Sequence, residues 1–72
     1  MNVEVEGYSG YKADERPLRF RLGDRWLNVE EVSDRWYDPE ATYFRVKADD
    51  GATYILRHDE RADCWTLEAF RR

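Results

Sequence analysis

Over most of this chain apolar side chains return at every second position, and that beat decides what it can fold into. Phe44, Val46 and Ala48 alternate with Arg45 and Lys47; Leu18, Phe20 and Leu22 alternate with Arg19 and Arg21; Val3 and Val5 alternate with Glu4 and Glu6. Successive side chains of an extended strand point to opposite faces, so this period belongs to half-buried strands and not to helices. Gly23-Asp24, Asp38-Pro39 and Asp50-Gly51 place reversal signals between the runs. The expectation is an all-β fold, a single small domain over residues 1–72, with five or six short antiparallel strands in a meander. Closing that sheet into a small barrel protects its edges and encloses a core with few residues.

Residues 25–37 strain this reading. Leu27 and Val29 share one parity, while Val32 and Trp36 share the other. One extra residue near Glu30-Glu31 makes a β-bulge that resets the parity and bends the strand. The alternative is an α+β chain with a short helix at about 25–36, capped by Asp24, with Trp26, Val29, Val32 and Trp36 down one side. Trp, Val and Asn are indifferent helix formers, which favours the bulge.

Register can be argued at two hairpins. A three-residue Asp49-Asp50-Gly51 loop, with Gly51 at positive φ, sets Val46 opposite Tyr54 and Phe44 opposite Leu56 and so gathers the apolar residues on one face. A five-residue loop from Asp38 to Thr42 sets Tyr37 opposite Tyr43, Trp36 opposite Phe44, and Val32 near Ala48. Trp36 and Phe44 are then core. Tyr37 and Tyr43 fall on the outer face with Arg35, Arg45 and Arg57. That register also puts Arg35 opposite Arg45, which is unfavourable unless an anion lies between them or the loop differs by one residue. A last hairpin turns at His58 to Asp63 and returns through Trp65 and Leu67. The first strand reads as a sheet edge, and residues 7–16, rich in Gly, Ser, Lys, Asp and Glu, as a lid-like segment.

A chain of 72 residues hides only about 60% of the surface its unfolded form exposes. Its single cysteine, Cys64, forms no internal disulfide. With no secretory pattern at the N-terminus, a reduced, cytoplasmic setting is expected. No apolar run approaches the roughly 20 residues that span a bilayer, so no membrane segment is expected. Charged residues make up 39% of the chain, yet three tryptophans, five tyrosines and three phenylalanines argue for a packed fold over disorder. The net charge of −4 gives no whole-molecule attraction to phosphate.

The candidate binding residues are Arg35, Tyr37, Tyr43, Arg45 and Arg57, a set able to stack on and neutralise a ligand. Such residues also pair across strands simply to cover a sheet. His58 and Cys64 lie near either end of a proposed hairpin loop and offer a thiolate and a base, but no orienting group or oxyanion pocket accompanies them. One Cys and one His do not close a zinc site, and the acids at 49–50 and 59–63 do not follow a calcium loop. No metal, cofactor or enzymatic activity is expected. A protein partner or homo-oligomer is the leading expectation, and single-stranded nucleic acid is the alternative.

The motifs Gly10-Tyr-Lys-Ala-Asp-Glu-Arg-Pro17, Asp34-Arg-Trp-Tyr37, Tyr43-Phe-Arg-Val46, and Asp50-Gly51 followed by Tyr54-Ile-Leu-Arg-His-Asp59 resemble those of a family of small, uncharacterised bacterial cytoplasmic proteins. The likeness runs from about Tyr8 to Phe70. It implies a bacterial cytosolic protein and carries over no activity, cofactor or catalytic residue. Domains that look similar occur near error-prone DNA polymerases, which leans toward the nucleic-acid alternative.

Overall fold

The computed structural model describes residues 1–8 and 16–71. Six strands succeed one another: β1 (Asn2–Tyr8), β2 (Arg16–Leu22), β3 (Arg25–Asp38), β4 (Ala41–Ala48), β5 (Thr53–Asp59) and β6 (Cys64–Arg71). Each pairs antiparallel with the next, and β6 returns to β1 to close the barrel. No helix occurs among the described residues, so the helical alternative for 25–36 is not realised. Nor, therefore, is any helix long and apolar enough to cross a membrane. The segment expected to act as a lid lies, for residues 9–15, outside the described residues. β1 pairs with β2 from Glu4 to Tyr8 and with β6 at Asn2 and Val3, whose partners are Thr66 and Trp65, so the expected edge strand is part of the closed wall.

The two-residue beat sorts the barrel's inside from its outside. Phe20, Leu27, Phe44, Val46, Tyr54 and Leu56 are buried in one cluster, with Val3, Val5, Leu22, Val29, Val32, Trp65 and Leu67 packed around it. The β4–β5 hairpin has the expected register, with Val46 opposite Tyr54 and Phe44 opposite Leu56. Its loop carries Gly51 at φ 86°, a conformation open to glycine because it has no Cβ. The Gly51 amide donates to the Ala48 carbonyl at 3.0 Å and the Ala48 amide to the Ala52 carbonyl at 3.0 Å. Asp50 reinforces this turn from both sides. Its Oδ1 accepts from the Ala52 amide at 2.9 Å, and its Oδ2 accepts from the Tyr54 hydroxyl at 2.6 Å.

The β3–β4 pairing corrects the expected register. The bulge foreseen near Glu30 is present, since Val29 pairs with Ala48 and Glu31 with Lys47, but a second bulge sits at Ser33. Each bulged residue reverses the inside–outside order of the residues after it. The second one therefore turns Arg35 toward the interior beside Phe44 and sends Trp36 outward beside Tyr43. Val32 lies opposite Val46, not Ala48, and Tyr37 lies opposite Thr42. The loop shrinks to Pro39-Glu40, because Asp38 pairs with Ala41 and its Oδ1 accepts from the amides of Glu40 and Ala41, each at 3.0 Å. Trp36, expected in the core, is 38% exposed, whereas Phe44 is 3% exposed as anticipated. The repulsive Arg35–Arg45 pair does not form: Asp34 stands opposite Arg45 instead.

Candidate functional site

The outer face of β3 to β6 is built in rungs that run across the strands. In the first, Trp36 pairs with Tyr43, Tyr43 with Arg57, and Arg57 with Thr66. The Trp36 and Tyr43 rings stack with centres 5.4 Å apart and planes 2° from parallel. From the other side the Arg57 guanidinium carbon lies 6.0 Å from the Tyr43 ring centre. A hydrogen bond with Tyr43 raises the Arg57 pKa above its ordinary value, and Asp59 and Asp38 add to the effect. Tyr43 is thus flanked by two neighbours, while Trp36, at the end of the rung, is 38% exposed.

In the second rung Arg45 lies opposite Asp34 on one side and Ile55 on the other, and Ile55 lies opposite Ala69. The bulged Ser33 positions Arg45. Its hydroxyl donates to the Arg45 carbonyl at 3.1 Å and accepts from Arg45 Nε at 3.2 Å. Arg45 Nη2 is 3.9 Å from Asp34 Oδ2, too long for a hydrogen bond. The third rung joins Glu31, Lys47, Thr53 and Arg71. Between the second and third rungs runs an open groove of about 490 Å³, lined by Ser33, Arg45, Thr53, Ile55, Ala69, Phe70 and Arg71. Phe70 stacks on Tyr54 with ring centres 6.0 Å apart and is 60% exposed.

Of the five residues singled out from the sequence, this face therefore holds Tyr43, Arg45 and Arg57. Arg35 and Tyr37 go elsewhere, to one mouth of the barrel, because the Ser33 bulge reverses their side. There they line a small cavity of about 80 Å³ with Thr42, Phe44, His58, Glu60 and Trp65. The Arg35 guanidinium carbon lies 5.0 Å from the Phe44 ring centre. Thr42 donates to Glu60 Oε2 at 2.9 Å, and His58 stacks on Trp65 with centres 4.3 Å apart while its Nε2 lies 3.1 Å from Asp63 Oδ1. Cys64 takes no part in this arrangement. It pairs with Asp59 while His58 pairs with Trp65, so the thiol and the imidazole point to opposite faces. No group of three His, Cys, Asp or Glu side chains among the described residues is placed to hold a metal ion.

The outer face of β1 and β2 offers a contrast. Arg19 donates to Glu6 through Nε at 2.7 Å and Nη2 at 3.2 Å, and Arg21 donates to Glu4 at 3.1 Å. Arg19 also covers Trp26, its guanidinium carbon 4.4 Å from the ring centre. Those arginines have carboxylate partners within hydrogen-bond reach. On the β3–β6 face, no carboxylate in the described structure hydrogen-bonds Arg45, Lys47 or Arg71. Trp36, Ser33, Lys47 and Arg71 are the members of this face that the sequence pattern did not single out. Lys47 carries the same alternation as Arg45 and was legible from it, whereas Trp36 and Ser33 depend on the second bulge of β3, and Arg71 on a bulge in β6 at Glu68, where Leu56 pairs with Leu67 but Ile55 with Ala69. Comparison with protein-family models, curated proteins and solved structures finds no match to this chain.

Proposed function

We propose that the protein is a non-enzymatic interaction module of the bacterial cytoplasm that meets a protein partner through the outer face of β3 to β6. The supporting observation is the composition of that face: Trp36, Tyr43, Arg45, Arg57, Arg71 and the groove over Ile55 and Ala69 stand together. Trp, Tyr, Phe and Arg are the types enriched at protein interfaces, and Trp, Tyr and Arg carry most of the binding energy in alanine scans. The resemblance to small bacterial proteins and the lone cysteine support the cellular setting. The separated His58 and Cys64 and the small mouth cavity support a non-enzymatic role.

The test is capture from a nuclease-treated bacterial lysate by tagged wild-type protein, by an Arg57→Glu variant, and by an Arg19→Glu variant on the opposite face. The reading predicts nuclease-resistant partners that Arg57→Glu loses and Arg19→Glu keeps. Equal loss in both variants, or none in either, contradicts it. A second reading, single-stranded nucleic-acid binding, draws support from the cations Arg45, Lys47, Arg57 and Arg71 on one face beside Trp36, with Asp34 and Glu31 opposite Arg45 and Lys47. It predicts oligonucleotide binding that weakens steeply with salt, and the absence of binding at low salt removes it.

A further inference from the structure

We infer that the groove between Arg45 and Arg71 receives an acidic, apolar segment of a protein partner, with a carboxylate seated on Arg45 and a neighbouring aliphatic side chain on Ile55 and Ala69. This inference rests on the interaction-module reading and names the chemistry of the partner.

Arg45 is the anchor because its conformation is already set. Its Nε is spent on Ser33, which is itself tied to the Arg45 backbone. The terminal nitrogens remain, and Asp34 approaches one of them only to 3.9 Å. A guanidinium held by Nε presents its outer edge in a fixed plane, the geometry that takes a carboxylate through two parallel hydrogen bonds. Asp34 offsets part of the positive charge in the free protein without filling that edge. An incoming carboxylate with better geometry replaces it, and its repulsion by Asp34 is the cost of doing so. Arg71 supplies a second cation across the groove.

The floor separates an acidic peptide from a nucleic acid. Ile55 and Ala69 are aliphatic and offer area to a leucine or valine but no plane for a base.

The experiment uses the intact chain and three fluorescein-labelled probes: an alternating Glu-Leu peptide, its Lys-Leu counterpart, and a short oligothymidylate. Binding is read by anisotropy, and the contact is located by NMR shift changes. The expected result is binding of the Glu-Leu peptide alone, with shifts at Arg45, Ile55 and Ala69. Arg45→Glu weakens it about tenfold or more, the loss of a charge-assisted hydrogen bond. Ser33→Ala, which frees the positioned guanidinium, weakens it by a smaller factor. Asp34→Asn tightens it about threefold, because an exposed like charge is removed. Equal binding of the Lys-Leu peptide, preference for oligothymidylate, shifts mapping elsewhere, or weaker binding by Asp34→Asn each overturn the inference. If lysate capture depends on Arg57 while these probes do not depend on Arg45, the acidic partner is wrong and the interaction module stands.

Discussion

Replacing Tyr54 with Phe removes one oxygen atom from the best-braced turn in the barrel. The Tyr54 ring is 3% exposed, packs edge-on against Phe20 with centres 5.0 Å apart, and sends its hydroxyl to Asp50 Oδ2 at 2.6 Å. The same carboxylate holds the Ala52 amide. Phe keeps the ring contacts, so the change isolates the hydroxyl. Asp50 sits on an exposed loop, and water can re-solvate the carboxylate oxygen that is released. The loss is then the net worth of a hydrogen bond to a charged acceptor, about 1.5–3 kcal/mol, without the larger penalty of a buried orphan charge. Set against the roughly 3–5 kcal/mol that a core of this size supplies, that is about half the total stability. With a urea slope near 1 kcal/mol/M, at the low end for small domains, the midpoint falls by about 1.5–3 M. Urea titration followed by tryptophan fluorescence measures it. Asp50→Asn keeps a neutral acceptor and loses less. An unchanged or raised midpoint for Tyr54→Phe would show that the hydroxyl does not brace the hairpin.

Three further outcomes are expected. Leu56→Ala, at a fully buried position, costs about 2–5 kcal/mol and leaves the chain largely unfolded at room temperature, which circular dichroism reads directly. Gly51→Ala forces a Cβ into the φ 86° conformation and destabilises by about 1–2 kcal/mol, although nothing lies within 4 Å of the added atom. Urea midpoints register that loss. The Arg19 hydrogen bond holds the Glu6 carboxyl below its usual pKa of 4.5. A depressed carboxylate stabilises the fold above its unfolded-state pKa, and that contribution fades as pH falls through the lower folded value. Urea midpoints should therefore drop as pH falls below about 4.5, and Arg19→Ala should flatten the drop.

The barrel and the face were legible to different depths, for physical reasons. Strict alternation around Phe44, Val46, Tyr54 and Leu56 leaves one register that buries every ring and aliphatic chain, so the β4–β5 hairpin could be placed to the residue. The bulge near Glu30 was equally visible, because Val29 and Val32 are apolar residues of opposite parity. The bulge at Ser33 was not. Beyond Val32 the strand carries Asp34, Arg35, Trp36 and Tyr37, and no pair of aliphatic residues marks which side is inside. The only warning was electrostatic: without the bulge Arg35 meets Arg45, and with it Asp34 does. Giving Trp36 priority for the core over the snorkelling Arg35 side chain, whose aliphatic stem suits a barrel mouth, moved Arg35, Tyr37 and Trp36 to the wrong sides together.

The Trp36 side of the contact face depends on that reversal of sides at Ser33. Proton–proton NOEs in the free protein test it most directly. The structure predicts strong contacts between the Trp36 indole and the Tyr43 ring, and between the Arg35 methylenes and the Phe44 ring, with none between Trp36 and Phe44. Contacts from Trp36 to Phe44, with Arg35 near Tyr43, would return the indole to the core and dismantle the proposed surface.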